Sequence, residues 1–255
     1  MLNPEYTIVT PLHSFDENIL KTAESIISAY KSSKCLKIQW IIKSSREIQS
    51  SSRSSLKKLC ESKIDINFYE KKDKNMYEGL IDAIDYVSTD YVIWLNSGDL
   101  LFDESFSNLS KSIEDSKLAT DIFIFNKAVK FLDNTIYHSK RRYFKKLIIS
   151  GFYGYYGESL PQENIVFRKS LFQKLDFETL SKFKLAGDWF IFKEIFSMAN
   201  EIKHVNRRFA MFVYCDGQLS SNKEGYKNEI KRFHNFQDVF FFSLFAWFEK
   251  FLGRL

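Results

Sequence analysis

The chain has 255 residues, 45% of them apolar and 17% aromatic, with 26 Phe and a formal net charge of +5. A chain this long and this apolar buries a substantial core, which excludes a disordered protein, while the modest charge permits anionic partners and requires none. Three Cys without a CxxC pair and four His without HExxH leave neither a disulfide framework nor a zinc knuckle.

The first predicted element is a β-branched strand, "YTIVTPL" (6–12), ended by Pro11. Apolar residues at Ile19, Leu20, Ala23, Ile26, Ile27 and Tyr30 have helical spacing over 17–30. A second strand (38–42) follows, then a serine- and lysine-rich stretch (43–58), part loop and part polar helix. The third strand spans 64–70, a helix 76–87, and a fourth strand 91–96, where the run stops at Asn96-Ser97-Gly98-Asp99. This alternation predicts βαβ units and a mainly parallel sheet. The first glycine is Gly79, so neither a GxGxxG nor a Walker A loop can precede it.

Beyond residue 100 the pattern loosens. A strand and turn (121–131), a basic segment "SKRRYFKKL" (139–147) and an aromatic glycine loop "GFYGYYG" (151–157) lead to a strand-to-helix passage at "ENIVFRKSLFQKL". A strong helix (187–199) carries Asp188 where an N-cap belongs. A strand pair around "HVNRRFAMFVY" and a helical region from Glu224 complete the pass. The opening "MLNPEYTIVT" lacks the layout of a signal peptide, and the run "FFFSLFAWF" is shorter than the roughly 20 residues of a membrane span, so a reduced, cytoplasmic protein is expected.

Open α/β sheets bind ligands beyond the carboxyl ends of their strands. That rule brings Thr10-Pro11, the segment after Ile42, the residues around Asp73 and Asn96 to Asp99 to one crevice. A carboxylate at such a rim suits a divalent cation, which in turn holds a pyrophosphate.

The segments "TIVTPL", "IQWIIKSS", "EKKDKNMYEGLIDAI", "DYVIWLNSGD", "PQENIVFRKSLF" and "LAGDWFIF", in this order over residues 6 to 222, resemble an inverting family 2 glycosyltransferase with the GT-A fold, in the branch that builds bacterial capsule, O-antigen or exopolysaccharide. The resemblance implies a GT-A domain over 1–222 and a C-terminal aromatic helical extension over 223–255. It implies a nucleotide-sugar donor, UDP-linked by expectation, and a glycan or polyprenyl-diphosphate-linked acceptor. "NSGD" would match the family's D-x-D region, with Asn96, Ser97 and Gly98 at the donor and Asp99 holding Mg²⁺ or Mn²⁺. Asp73 would face the nucleotide, with Tyr77 beside it, and Ser44 falls where the family usually has an acid. Asp188 matches the general base. Gln162-Glu163 stand where a His-Gln pair is common, which puts them at the acceptor. "CDGQLS" resembles a loop closing over the donor, through Gln218 and, more faintly, Ser220.

Trp189 reads as core or as the wall of an acceptor site, and the "GFYGYYG" loop as a flexible connection or an aromatic stacking surface. The basic segment reads as a solvated face, and nothing matches a nucleic-acid module. The C-terminal stretch "DVFFFSLFAWFEKFLGRL" reads equally as a helix lying in a membrane interface or as one packed on the domain or in a homodimer contact. Two other functions are open: a sugar-nucleotide nucleotidylyltransferase, although "TIVTPLHSFDEN" lacks its glycine-rich loop, and a degenerate member serving as a glycan-binding or membrane scaffold. The transferase expectation requires positions 99 and 188 to face one cleft.

Overall fold

The computed structural model describes residues 5–33, 37–60, 64–116, 119–215, 218 and 221–233. Ser220 and the stretch 238–255 singled out above lie outside them. No helix among the described residues is long and apolar enough to cross a membrane.

The chain opens as β1 (Glu5–Leu12), α1 (Asn18–Lys31), β2 (Lys37–Ser44), α2 (Ser50–Cys60), β3 (Ile64–Glu70), α3 (Met76–Ile84) and β4 (Tyr91–Trp94). β1 pairs in parallel with β2 on one side and β4 on the other, and β2 pairs with β3. The sheet therefore grows outward from β1 to β3 and then turns back to β4, which makes the carboxyl ends of β1 and β4 the switch point. β1, β2 and β4 are buried on both faces, as central parallel strands are, whereas the edge strand β3 is mostly half-buried. Val9 and Ile41 enter one apolar layer, with α3 and the later helices, while Ile8, Trp40 and Ile42 enter the other.

The second half runs β5 (Leu100–Leu101), α4 (Ser105–Asp115), β6 (Ile122–Lys130), β7 (Ile136–Ser139), α5 (Lys145–Ile149), β8 (Ile165–Arg168), α6 (Lys169–Phe172), α7 (Phe177–Leu180), α8 (Gly187–Met198), β9 (Ile202–Arg208), β10 (Ala210–Val213) and α9 (Lys223–Phe233). The strand order is β3-β2-β1-β4-β8-β6-β10-β5, with β7 and β9 also paired to β6. β8 is antiparallel to both β4 and β6, so the sheet is mixed, with its parallel half at the switch point.

Several expectations need correction. Pro11 does not end β1, which continues to Leu12 in register with Ser44. The fourth strand stops at Trp94, two residues early, where Asn96 turns its side chain to the protein. α3 ends at Ile84; Tyr86 and Val87 continue it only through i→i−3 bonds to Ala83 and Ile84. β9 and β10 do not pair with each other, because each lies parallel to a different stretch of the long strand β6. The glycine loop is no loose connection: residues 151–154 are buried, and Phe152 and Tyr153 belong to the core.

Candidate active site

The turn after β4 is fixed residue by residue. Trp94 Nε1 donates to Asn96 Oδ1 at 2.9 Å, and Asn96 Nδ2 donates to Gln162 Oε1 at 2.8 Å. Gln162 Nε2 in turn donates to the Trp94 carbonyl at 2.6 Å. Ser97 donates to Asp16, and the Gly98 amide to Thr22 Oγ1 at 2.9 Å. Gly98 has φ +92°, a left-handed conformation that costs a glycine least.

Asp99 follows, only 3% exposed, with Oδ1 accepting from the Val213 amide at 3.2 Å. Its neighbour is Glu163, 4% exposed, so two carboxylates share one buried region. Burial pushes the Asp99 carboxyl well above its ordinary range and the Glu163 charge raises it further. Burial likewise lifts Glu163 to about 7, against the lowering effect of its own amide, Lys127 and Asn164. Glu163, expected at the acceptor, thus lies beside the expected metal ligand. Two hard-oxygen ligands that repel each other are a donor set that Mg²⁺ or Mn²⁺ fits, since such ions take one or two carboxylates and complete their shell with phosphate and water. Among the described residues no third His, Cys, Asp or Glu joins them. Gln218 lies close by, its Nε2 donating to the Val213 carbonyl at 2.9 Å and its Oε1 buried without a hydrogen-bond partner among the described residues.

At the rim of β1 and β2, Thr10 is fully buried and its Oγ1 accepts from Trp40 Nε1 at 3.0 Å. Pro11 and Ser44 are buried too. The carboxylate of Asp73 is not free: Lys43 Nζ lies 3.0 Å from it, with Asp82 3.9 Å from the same ammonium, and also donates to the Lys71 carbonyl at 2.6 Å. A lysine that is 1% exposed survives in the interior only because carboxylates surround it. Asp73 lines a groove of about 580 Å³ with Lys72, Lys74, Glu78 and Phe177.

The other cluster surrounds Asp188. It is the second residue of α8; the N-cap position belongs to Ala186, which has no capping side chain. Glu229 of α9 supplies the missing acceptor, taking the amides of Lys184, Leu185 and Ala186 at 2.8, 2.8 and 2.7 Å. A carboxylate there also opposes the positive end of the helix. Asp188 Oδ1 is buried with no hydrogen-bond partner among the described residues. Burial raises this carboxyl to about 6, held back by the Trp189 amide and the hydroxyls of Tyr226 and Tyr77. Asp188 borders a cavity of about 10 Å³, with Ile148, Tyr153, Leu160, Trp189 and Tyr226; that is room for about one water. Trp189 is 5% exposed and donates to the Gly151 carbonyl at 3.2 Å, which makes it core.

Tyr77 ties this cluster to the switch point. Its ring meets Trp94 edge-on at 6.2 Å, its hydroxyl donates to the Leu185 carbonyl at 2.7 Å, and Gly187 sits against its face. The expected residues thus fall into an Asp99–Glu163–Gln218 group and a Tyr77–Asp188–Trp189 group, with Asn96, Gln162 and Trp94 between them. Sequence reasoning missed Lys43, Tyr226 and Glu229. A charge inside an otherwise apolar strand was the only available signal, and it pointed to Lys43 alone.

No protein-family model matches the chain, and no curated protein does. Solved structures match in fold. S. aureus TarS superposes with a TM-score of 0.62 at 11% identity, over 82% of this chain and 37% of that one. TarS 1-349 in complex with UDP-GlcNAc gives 0.61 at 11%, over 86% and 61%, and its complex with UDP gives 0.57 at 10%, over 92% and 74%. The chain has a GT-A-like fold. It spans little more than a third of the full TarS chain. In this sheet Thr10–Leu12 and Asn96–Asp99 lie at and beyond the carboxyl ends of the paired strands β1 and β4.

Proposed function

We propose that the protein is a glycosyltransferase that moves a sugar from a nucleotide-sugar donor, UDP-linked, to a hydroxyl of a surface-glycan or lipid-linked acceptor, with inversion. The GT-A-like fold supports this reading, as does the binding of UDP-GlcNAc and UDP by TarS. The observation that carries it is Asp188: a half-buried residue whose Oδ1 is buried with no hydrogen-bond partner among the described residues, its carboxyl raised to about 6 by burial, against the lowering effect of the Tyr226 hydroxyl.

A hydroxyl is a poor nucleophile until a base takes its proton. Asp188 Oδ1 receives that proton as the acceptor oxygen bonds to the anomeric carbon; the bond from that carbon to the diphosphate oxygen breaks, and its electron pair leaves with the nucleotide. A carboxyl near 6 is still ionised at neutral pH, yet is a stronger base than an ordinary aspartate. Asp99 and Glu163 would hold the divalent cation, which neutralises charge on the departing diphosphate. Asn96, Ser97, Gly98 and Gln218 would border the donor, with Thr10, Pro11 and Ser44 forming the floor through their backbone. Asp73 would meet the nucleotide as half of its pair with Lys43.

The test is nucleotide release from a panel of UDP-, GDP- and dTDP-sugars. One donor should be turned over, and Asp188→Asn should lower kcat by about 10²–10⁴-fold. Equal rates in the two proteins would overturn the assignment. The second reading, a glycan-binding scaffold without turnover, is favoured by Asn96 in an expected acid position and by the occupied Asp73. Calorimetry with UDP, with and without Mn²⁺, separates the two: metal-dependent binding supports the enzyme.

A further inference from the structure

Among the described residues seven large apolar side chains are exposed, and five of them, Phe131, Leu132, Ile136, Tyr137 and Phe144, fall within residues 131–144. The first four crown the hairpin between β6 and β7, where residues 131–138 are exposed without interruption. The tip is nevertheless well built. The Phe131 amide donates to the Thr135 carbonyl at 2.9 Å, and Asn134 closes the turn at φ 65°, a conformation Asn tolerates. Its root is firm, with Ala128 and Val129 buried and β10 paired along the other edge of β6. An ordered, projecting arm with bare apolar residues at its end needs a partner.

Charge identifies the partner. Lys130 stands next to the tip, and Lys140, Arg142, Lys145 and Lys146 are exposed along the segment that follows the root of β7, whereas Asp133 is the one acid between residues 127 and 150. Glu158 pairs with Lys127 and Arg141 and leaves the others uncompensated by it. A second copy docking through the free edge of β7 would set these cations against their counterparts, which opposes association. A polyanion in water would engage the cations and leave the Phe and Leu exposed. An anionic bilayer satisfies both, with apolar side chains at the acyl boundary and ammonium groups among lipid phosphates.

We propose that the β6–β7 hairpin is a docking arm for an anionic membrane surface. Lys130, the last strand residue before the tip, pairs with Val213, whose amide holds Asp99. The arm therefore sets the bilayer one strand away from the Asp99–Glu163 group.

The test is co-sedimentation of the full chain with equimolar phosphatidylglycerol and phosphatidylcholine vesicles, without donor, so that it stands apart from the transferase reading. Binding should weaken about tenfold on phosphatidylcholine alone, in Phe131→Glu with Leu132→Glu, and in Lys140→Glu with Arg142→Glu. Ile136→Ser with Tyr137→Ser, which leaves the turn intact, should repeat the loss, and Tm should hold in every variant. Unchanged binding by the tip variants overturns the proposal. So does a native dimer that the tip variants convert to monomer, which would make the arm a self-association surface.

Discussion

Tyr77 and Gly187 are in such close contact that a Cβ on the glycine would lie 2.6 Å from Tyr77 Cγ. The ring cannot retreat, because its hydroxyl is tied to Leu185 and its edge to Trp94. Gly187→Ala should therefore cost about 1–3 kcal/mol of stability and displace the start of α8, carrying Asp188 with it. Chemical denaturation and donor turnover measured on one preparation check both effects; an unchanged variant would show that the helix is free to shift.

On the proposed transferase reading, the acid limb of the rate profile belongs to Asp188. As a base it must be ionised, so kcat/KM should fall as pH drops through about 6. Tyr226 favours the charged form, and Tyr226→Phe should therefore move the limb to higher pH while leaving KM for the donor near its native value. A variant that only lowers the plateau would assign Tyr226 a structural role alone.

Stability should decline as pH rises from about 4.5 to about 7 on account of Glu163. Its carboxyl, raised to about 7 when folded, retains a proton that the unfolded chain has already lost. Glu163→Gln removes the buried charge, flattens this slope and stabilises the protein at pH 8, by roughly 1–3 kcal/mol. Mn²⁺ should stabilise the native protein at pH 8 and do less for the variant, which thermal melts with and without the ion will show.

Lys43→Met should be among the most damaging single changes, at about 3–5 kcal/mol, because it strands the buried Asp73, while Asp82 keeps its pair with Lys71. Adding Asp73→Asn should recover part of the loss in a double-mutant cycle. Full additivity of the two changes would mean that the pair is not coupled.

The parallel half of the fold was legible because its physics is local. Apolar runs bounded by polar residues gave β1, β2 and β3 to within two residues, and the alternation with helices implied their parallel pairing. The antiparallel half was not, since pairing there is decided by strands distant in the chain. β9 and β10 look like a hairpin in sequence, yet β6 is long enough to engage both. Asp99, Asp188 and Tyr77 were singled out in the sequence one by one. Their surroundings were not: that Glu163 would turn toward Asp99, or that Glu229 would cap a helix more than forty residues earlier, is set by packing alone.

Because one short helix delivers both Tyr226 and Glu229 to the start of α8, a ribosome that has emitted every described strand of the sheet has not yet made the surroundings of Asp188. They are complete only when α9 docks, so a protease that clips the chain near Asn222 would unmake them while leaving the β-framework standing.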